Sequence, residues 1–526
     1  MHKFLLLVAL VAPMSLFAQP KTDKARVDWG QELDEKDTGE FTSLFGQNEE
    51  AVYMTMRTKK TFLVQKMNGD MKSLYSKPLD LELNKKDLLL QDIKLAGEKI
   101  LVFASIYDKK ADMNMLYLRM FDEGNMQPTT GWDKIAEFPS DKAYSGRFDM
   151  YTSPDDSKVL VTILLPYQKE EREKFQLRVY DKGMNLLWDR DVSMPYDDKE
   201  FSLEEFRIDN EGDVIAIGVK FNEKREAKAL KRAGKQQYTY HLITFDSKGG
   251  ETDDAIDAGD KFLQDLTLSL DNGNGPILCG GFYGNKGTSK VRGAFFMSLD
   301  PRTKQIRHQS YKEFSDDLIT QYMTAKEEEK ARKKAEKKDE DLELYEYDLE
   351  EIIRRDDGGA VLVGEQYYMY TTTVCTSNPN GGQTCRTVYH YIYNDMIVVN
   401  IDPDGNIEWA AAIPKRQHTT NDGGYFSSYA LAVKGSNIYL IYNDNGENLF
   451  LTAGDKFKRT DFQGKSSIVT LATVSEDGHV TREALFDPEK RDLILRPKSC
   501  AQLQDERMIL YATRKRDYRF GMVTFE

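Results

Sequence analysis

DMIVVNIDPDGNIEWAAAIP, residues 395–414, is the stretch whose reading decides the fold. An apolar run, an Asp-Pro-Asp-Gly-Asn turn at 402–406 and a second apolar run carrying Trp409 read as a tight β-hairpin. The same pattern recurs as LYLRMFDEGN (116–125), FQLRVYDKGM (175–184), YHLITFDSKG (240–249) and IVTLATVSEDGH (468–479), each an apolar strand ending in an acidic, glycine-containing turn. A strand follows each turn, and Trp29, Trp132, Trp188 and Trp409 mark the clearest copies. Their separations are near two, one and four times a unit of about 50 to 55 residues, the size of a decorated four-stranded propeller blade. Weaker copies begin near Leu74, Asp254, Arg307 and Arg482.

A second family of hairpins precedes these: residues 147–165, 204–221, 265–282 and 350–367, each an apolar pair around a turn such as SPDDS, DNEGD, DNGNG or RDDGG. The unit is therefore strand, tight turn, strand, loop, strand, tight turn, strand. Units start near Phe41, Leu88, Arg147, Phe201, Leu263, Glu350, Tyr425 and Leu493, which makes eight, or seven if one weak copy is decoration. The last unit stops after three strands, whereas VDWGQEL (27–33) is a fourth strand without a unit. The expected architecture is an all-β, single β-propeller over residues 25–526, its ring closed by the N-terminal strand completing the last blade, which removes exposed sheet edges.

At this level the chain resembles the broad class of secreted β-propeller proteins, uncharacterised export-signal propellers with a Trp at the start of the outer strand. The resemblance spans nearly the whole mature chain and implies a fold only, since propellers host unrelated functions.

The chain has 526 residues, with 73 Lys and Arg against 87 Asp and Glu, a net charge of −14. This balance argues against a nucleic-acid partner. Lys3, the apolar run from Phe4 to Val11 and a small-residue stretch ending at Ala18 read as a signal peptide over residues 1–18. No later apolar run has the length of a membrane span, so the expectation is periplasmic or extracellular, without a transmembrane anchor after processing. Cys375 and Cys385 flank a string of turn formers and are expected to form a disulfide in a hairpin arm over 371–386. Cys279 and Cys500 lie in apolar segments and read as buried thiols.

Insertions fall almost entirely in second-to-third-strand and blade-to-blade connections, which share one face of a propeller, and that face is the expected working face. Residues 319–344 hold a charged helical insertion; within it 326–341 carry seven positive and seven negative charges and read as a solvated helix. Lys224, Arg225, Lys228, Lys231 and Arg232 form a basic helix suited to an anionic partner. Around the arm, Tyr368, Tyr370, Tyr389, Tyr391 and Tyr393 offer an interaction surface, with the last three on one face of an extended ladder. The polar string 415–425 is expected as a loop near the central channel, with Arg416, His418, Asn421, Asp422 and Tyr425 as candidate ligand-binding residues.

His241, His308, His390, His418 and His479 share no short metal-ligand spacing, and no GxSxG, HExxH or phosphate-loop motif occurs. The sequence thus points to no metal, no cofactor and no assignable catalytic residue. Its reading is an exported cell-envelope binding or scaffold protein engaging a protein or glycan. The alternative is a secreted propeller hydrolase or lyase acting on polysaccharide.

Overall fold

The structure is a computed structural model. It describes residues 22–526 apart from 143–144, 234, 274, 286–289, 339–340, 346, 356, 378–382, 461, 463–464 and 488–492. The proposed signal peptide and the tip of the disulfide hairpin lie outside the described residues.

The fold is an all-β propeller built from successive antiparallel sheets. Sheet one holds Glu40–Gln47, Ala51–Arg57, Phe62–Asn68 and Ser73–Pro78; sheet two runs from Leu89–Ala96 to Asp133–Pro139. Sheets three, four and five begin at Arg147–Thr152, Phe201–Ile208 and Phe262–Ser269. Sheet six contains Tyr347–Arg354, Ala360–Ser377, Gln383–Ile401 and Ile407–Ile413; sheet seven contains Ala430–Lys434, Asn437–Asn445, Ser467–Val474 and Val480–Phe486. In sheet eight, Met508–Arg514 and Asp517–Phe525 follow a first strand split into Ile494–Leu495 and Ala501–Gln502. Ala25–Trp29 pairs with Asp517–Phe525, with Ala25 opposite Phe525 and Trp29 opposite Gly521. None of these sheets closes on itself.

Burial explains the strand composition. Middle strands such as Ala51–Arg57, Ile277–Gly284 and Ser467–Val474 are covered on both faces and read as continuous apolar runs. The fourth strands, such as Leu186–Asp197, alternate between exposed and covered positions. Each core cluster lies between consecutive sheets: Leu278 and Phe296 of sheet five meet Leu362 and Val399 of sheet six. Sheet eight packs in turn on sheet one, through Tyr511, Phe520 and Met522 against Phe41, Met54 and Met56.

The tryptophans seal these interfaces. Trp188 Nε1 donates to Gly212 O of sheet four at 3.0 Å, and Trp409 Nε1 donates to Glu476 O of sheet seven at 2.7 Å. Gly478, at φ +81, lies under the Trp409 ring, where a Cβ would approach to 2.9 Å. Trp29 meets Phe486 edge-on at 5.2 Å.

Carboxylates on the first strands add a second set of links. Glu205 accepts from Leu268 N of sheet five at 3.2 Å, and Asp265 accepts from Leu349 N of sheet six at 3.3 Å. Each lies directly after a β-bulge, between Leu203 and Glu205 and between Leu263 and Asp265. The bulge turns the carboxylate toward the neighbouring strand.

Candidate functional site

Chain topology places nearly every long insertion at the same end of the strands, the 123–132 connection of sheet two being the exception. Second-to-third-strand connections and sheet-to-sheet connections leave from one edge, and the tight Asp/Gly turns occupy the other. On the elaborated edge of sheets six and seven the insertions hold one another. Gly454 N donates to Gln321 O at 3.2 Å, Thr460 N donates to Arg416 O at 2.8 Å, and Tyr322 meets Phe457 edge-on at 5.5 Å.

The charged insertion folds as Asp316–Thr320 followed by the helix Ala325–Lys338. This helix is more than a solvated arm, because Ala331 and Ala335 pack against the core between sheets five and six. Beneath it lies a cavity of about 380 Å³ whose wall includes Leu318, Tyr322, Glu327, Tyr347, Asp395 and Arg416. Arg416 forms an ion pair with Asp395 and donates to Lys415 O at 2.8 Å. The Tyr347 phenol is held well above its ordinary pKa by burial.

Behind the cavity is a buried polar network. Lys415 forms an ion pair with Glu365, both side chains fully enclosed, and donates to Gln417 Oε1 at 3.0 Å. Gln417 Nε2 donates to Asn443 O at 2.9 Å, and Ser428 Oγ donates to Glu365 at 2.7 Å. Burial pushes the Lys415 ammonium down against the opposing pull of Glu365. Burial pushes the Asp444 carboxyl up to about 6, opposed by hydrogen bonds from Asn448 and Asn445.

The polar string departs from its sequence reading as a loop. Gln417–Thr420 is a strand paired along Gln383–Ile401, with Thr420 opposite His390 and Gln417 opposite Tyr393. The first strand of sheet seven consequently starts at Ala430, later than Tyr425. Most of the candidate ligand residues have internal partners. Arg416 is paired with Asp395, Asn421 Oδ1 accepts from Tyr389 N at 3.0 Å, and Asp422 Oδ1 accepts from Gly424 N at 3.0 Å. Tyr425 donates to Glu40 of sheet one, while the Arg496 guanidinium lies 3.1 Å from the centre of its ring. His418 alone faces another imidazole, with its Nε2 2.9 Å from His390 Nδ1.

The arm is a long ribbon of Ala360–Ser377 and Gln383–Ile401, with Cys375 opposite Cys385 in a disulfide. Its register splits the arm tyrosines. Tyr389, Tyr391 and Tyr393 share one face with Tyr367, whereas Tyr368 and Tyr370 share the other with His390. Tyr370 and Tyr389 are exposed, Tyr368 and Tyr391 half-buried and Tyr393 buried.

The basic helix spans Lys224–Arg232 and follows the strand Val214–Phe221. Leu230 of that helix lines a second hollow, about 790 Å³, with Tyr238, Tyr240 and Lys261. Lys224, Arg225, Lys228 and Arg232 are solvent-exposed or half-exposed. Cys279 is buried and Cys500 half-buried. Among the described residues no helix is long and apolar enough to cross a membrane, and no three His, Cys, Asp or Glu side chains group as metal ligands.

Sequence reasoning missed several of these features. Asp395 and Glu365 gave no local signal, because their partners Arg416, Lys415 and Ser428 come from segments far along the chain. The first-strand carboxylates did leave one, the recurrence of Leu-Gln/Glu-Asp/Glu at 90–92, 203–205, 263–265 and 349–351.

No family model matches the sequence, and comparison with curated proteins finds no match. Among solved structures, the WD40 domain of SCAP from fission yeast is similar at 8% identity and a TM-score of 0.37, with 95% of each chain covered. The β-propeller domain of the Trilobed protease from Pyrococcus furiosus aligns at 9% identity and a TM-score of 0.36, over 86% of this chain and 97% of that one. Prolyl oligopeptidase B from Galerina marginata, bound to a 35mer substrate, aligns at 11% identity and a TM-score of 0.31 over 68% of this chain; the chain spans 38% of that enzyme's length. All these scores lie below 0.5, and the arrangement of the sheets rests on this chain's own pairing.

Proposed function

We propose that the protein is an exported cell-envelope binding or scaffold protein, an eight-bladed propeller whose loop-rich face engages a protein or glycan. In this reading each large sheet is a blade, and Ala25–Trp29 closes the ring as the fourth strand of the last one. The pairing of that strand with Asp517–Phe525 and the packing of sheet eight on sheet one support the closure. The residue 1–18 segment and the Cys375–Cys385 disulfide support export.

The observation that carries the binding reading is the convergence of the insertions of sheets six and seven. The helical insertion between sheets five and six and the base of the arm frame a 380 Å³ cavity, and the outer arm beside it presents exposed Tyr370 and Tyr389. Rigid aromatic side chains on a stiff ribbon contact a protein or stack on a sugar with little loss of conformational entropy. The test compares wild type with a variant in which 371–386 is replaced by a short Gly-Ser turn, and with Tyr370→Ser/Tyr389→Ser, in cross-linked pull-downs from envelope extract and on a glycan array. Wild type should retain a defined protein or glycan that all arm variants lose. Retention of nothing by wild type in either format defeats the reading.

One observation favours the hydrolase or lyase alternative. Glu173, at the same end of sheet three, is pushed up to about 8 by burial and by the Asp198 carboxylate beside it. A carboxyl kept protonated near neutral pH is the general acid that cleavage of a polysaccharide uses, with its base supplied from about 5 Å or more away rather than by the hydrogen-bonded Asp198. Turnover of a polysaccharide by wild type but not by Glu173→Gln would move the assignment there.

A further inference from the structure

On the outer part of the arm, three strands lie side by side: Ala360–Ser377, Gln383–Ile401 and Gln417–Thr420. Their common face carries Tyr370 and Thr372, then His390, then His418. The histidines are 28 residues apart in sequence, a separation at which no motif search joins them. In the fold His390 Nδ1 and His418 Nε2 point at one another across 2.9 Å.

Both rings are held. Tyr370 stacks on His390 with 4.4 Å between ring centres and 4° between planes. Thr372 Oγ1 is 2.8 Å from His390 Nε2. With that hydroxyl accepting the Nε2 proton, His390 presents Nδ1 as a lone pair, which is how partner groups fix the tautomer of metal-bound histidines. His418 is anchored through its backbone, where its carbonyl accepts from Arg459 at 3.2 Å.

We propose that His390 and His418 form a two-histidine binding site for a first-row transition-metal ion, with Cu(II) the preferred occupant. The 2.9 Å separation is that of an imidazole–imidazole hydrogen bond, and a small turn of the rings brings their lone pairs together on an ion that replaces the proton between them, with the nitrogens about 2.8 Å apart in neighbouring positions of a tetragonal site. Imidazole donors and the Irving–Williams order also rank Cu(II) above Ni(II) and Zn(II). Among the described residues no carboxylate or thiolate completes the set. Water fills the other positions, on a face where Tyr370 is 42% exposed. The ion is therefore exchangeable, and metal entry displaces the proton shared between the rings. The site goes beyond the binding function proposed above and stands whether or not the face engages a partner.

The test is titration of untagged mature protein with copper(II) chloride in a non-coordinating buffer, followed by calorimetry and electron paramagnetic resonance. The expected result is one saturable site with a tetragonal spectrum and spin-echo modulation from two imidazoles, read on wild type without any substitution. His390→Gln and His418→Gln should each abolish that spectrum, and Thr372→Val should weaken binding about tenfold by freeing the tautomer. Nickel(II) and zinc(II) should bind more weakly. No saturable copper binding by wild type, modulation from one imidazole or none, or an unchanged site in both histidine variants would each overturn the proposal.

Discussion

Lys415 and Glu365 form a buried ion pair on the elaborated face. Both side chains are fully enclosed, so removing one leaves the other charge buried without its counter-ion. Lys415→Met should lower stability by about 3 to 5 kcal/mol, whereas adding Glu365→Gln should recover much of it, since the amide still accepts from Ser428. Urea denaturation of the singles and the double checks this as a cycle. Asp444 carries a pH dependence of fixed sign. Its folded pKa of about 6 lies above the ordinary carboxylate value. The folded state thus binds the proton more tightly than the unfolded chain, and stability from this group falls as pH rises from about 4 through 6. Asp444→Asn should be more stable than wild type by about 2 kcal/mol at pH 7.5, with the gap closing toward pH 5. A gap that widens as pH falls would show the opposite sign.

The first-strand bulges act at the scale of the element. A flat strand alternates its side chains between faces; the additional residue at Glu204 or Gln264 resets that alternation and aims Glu205 or Asp265 at the next sheet. Burial raises the pKa of both carboxyls while backbone N–H groups of the next sheet oppose it. Asp265→Ala leaves Leu349 N without its acceptor and should cost about 1 to 3 kcal/mol; Asp265→Asn, which keeps an acceptor, should cost less. Thermal melts and amide exchange at Leu349 separate the two. These strands also show what the sequence discloses. Asp/Gly turns and Trp409-type outer strands are local patterns, so the repeat and its hairpins were legible from residues a few positions apart. Gln417–Thr420 is too short and polar to announce a strand, and it forms only because the arm offers an unpaired edge beside it. Arg416 and His418 stand in a polar string that the sequence sets apart. What they face, Asp395 and His390, is decided by pairing between strands far apart in sequence.

At the scale of the molecule, the proposed closure rests on a short segment. Ala25–Trp29 covers the outer edge of Asp517–Phe525, and Ala25 with the half-buried Val27 and Trp29 joins the core between sheets seven and eight. Deleting residues 22–29 uncovers a long apolar edge strand and removes the Trp29–Phe486 contact. The expected loss is on the order of 3 kcal/mol, comparable to truncating a large core side chain, together with concentration-dependent association through the bared edge. Position, not chain order, should account for that loss. Ala25 lies opposite Phe525, and Glu526 N already donates to Lys24 O at 2.8 Å, so Glu526 and Lys24 are spaced as the last pair before a hairpin turn. Moving 24–29 behind Glu526 through an Asn-Gly turn, so that Lys24 follows the turn directly, rebuilds the same pairing as a hairpin. That relocated variant should regain wild-type melting behaviour and stay monodisperse by size-exclusion chromatography wherever the truncated one does not. If both variants melt alike, the strand contributes through its connection to sheet one rather than by covering the edge, and closure by strand pairing fails.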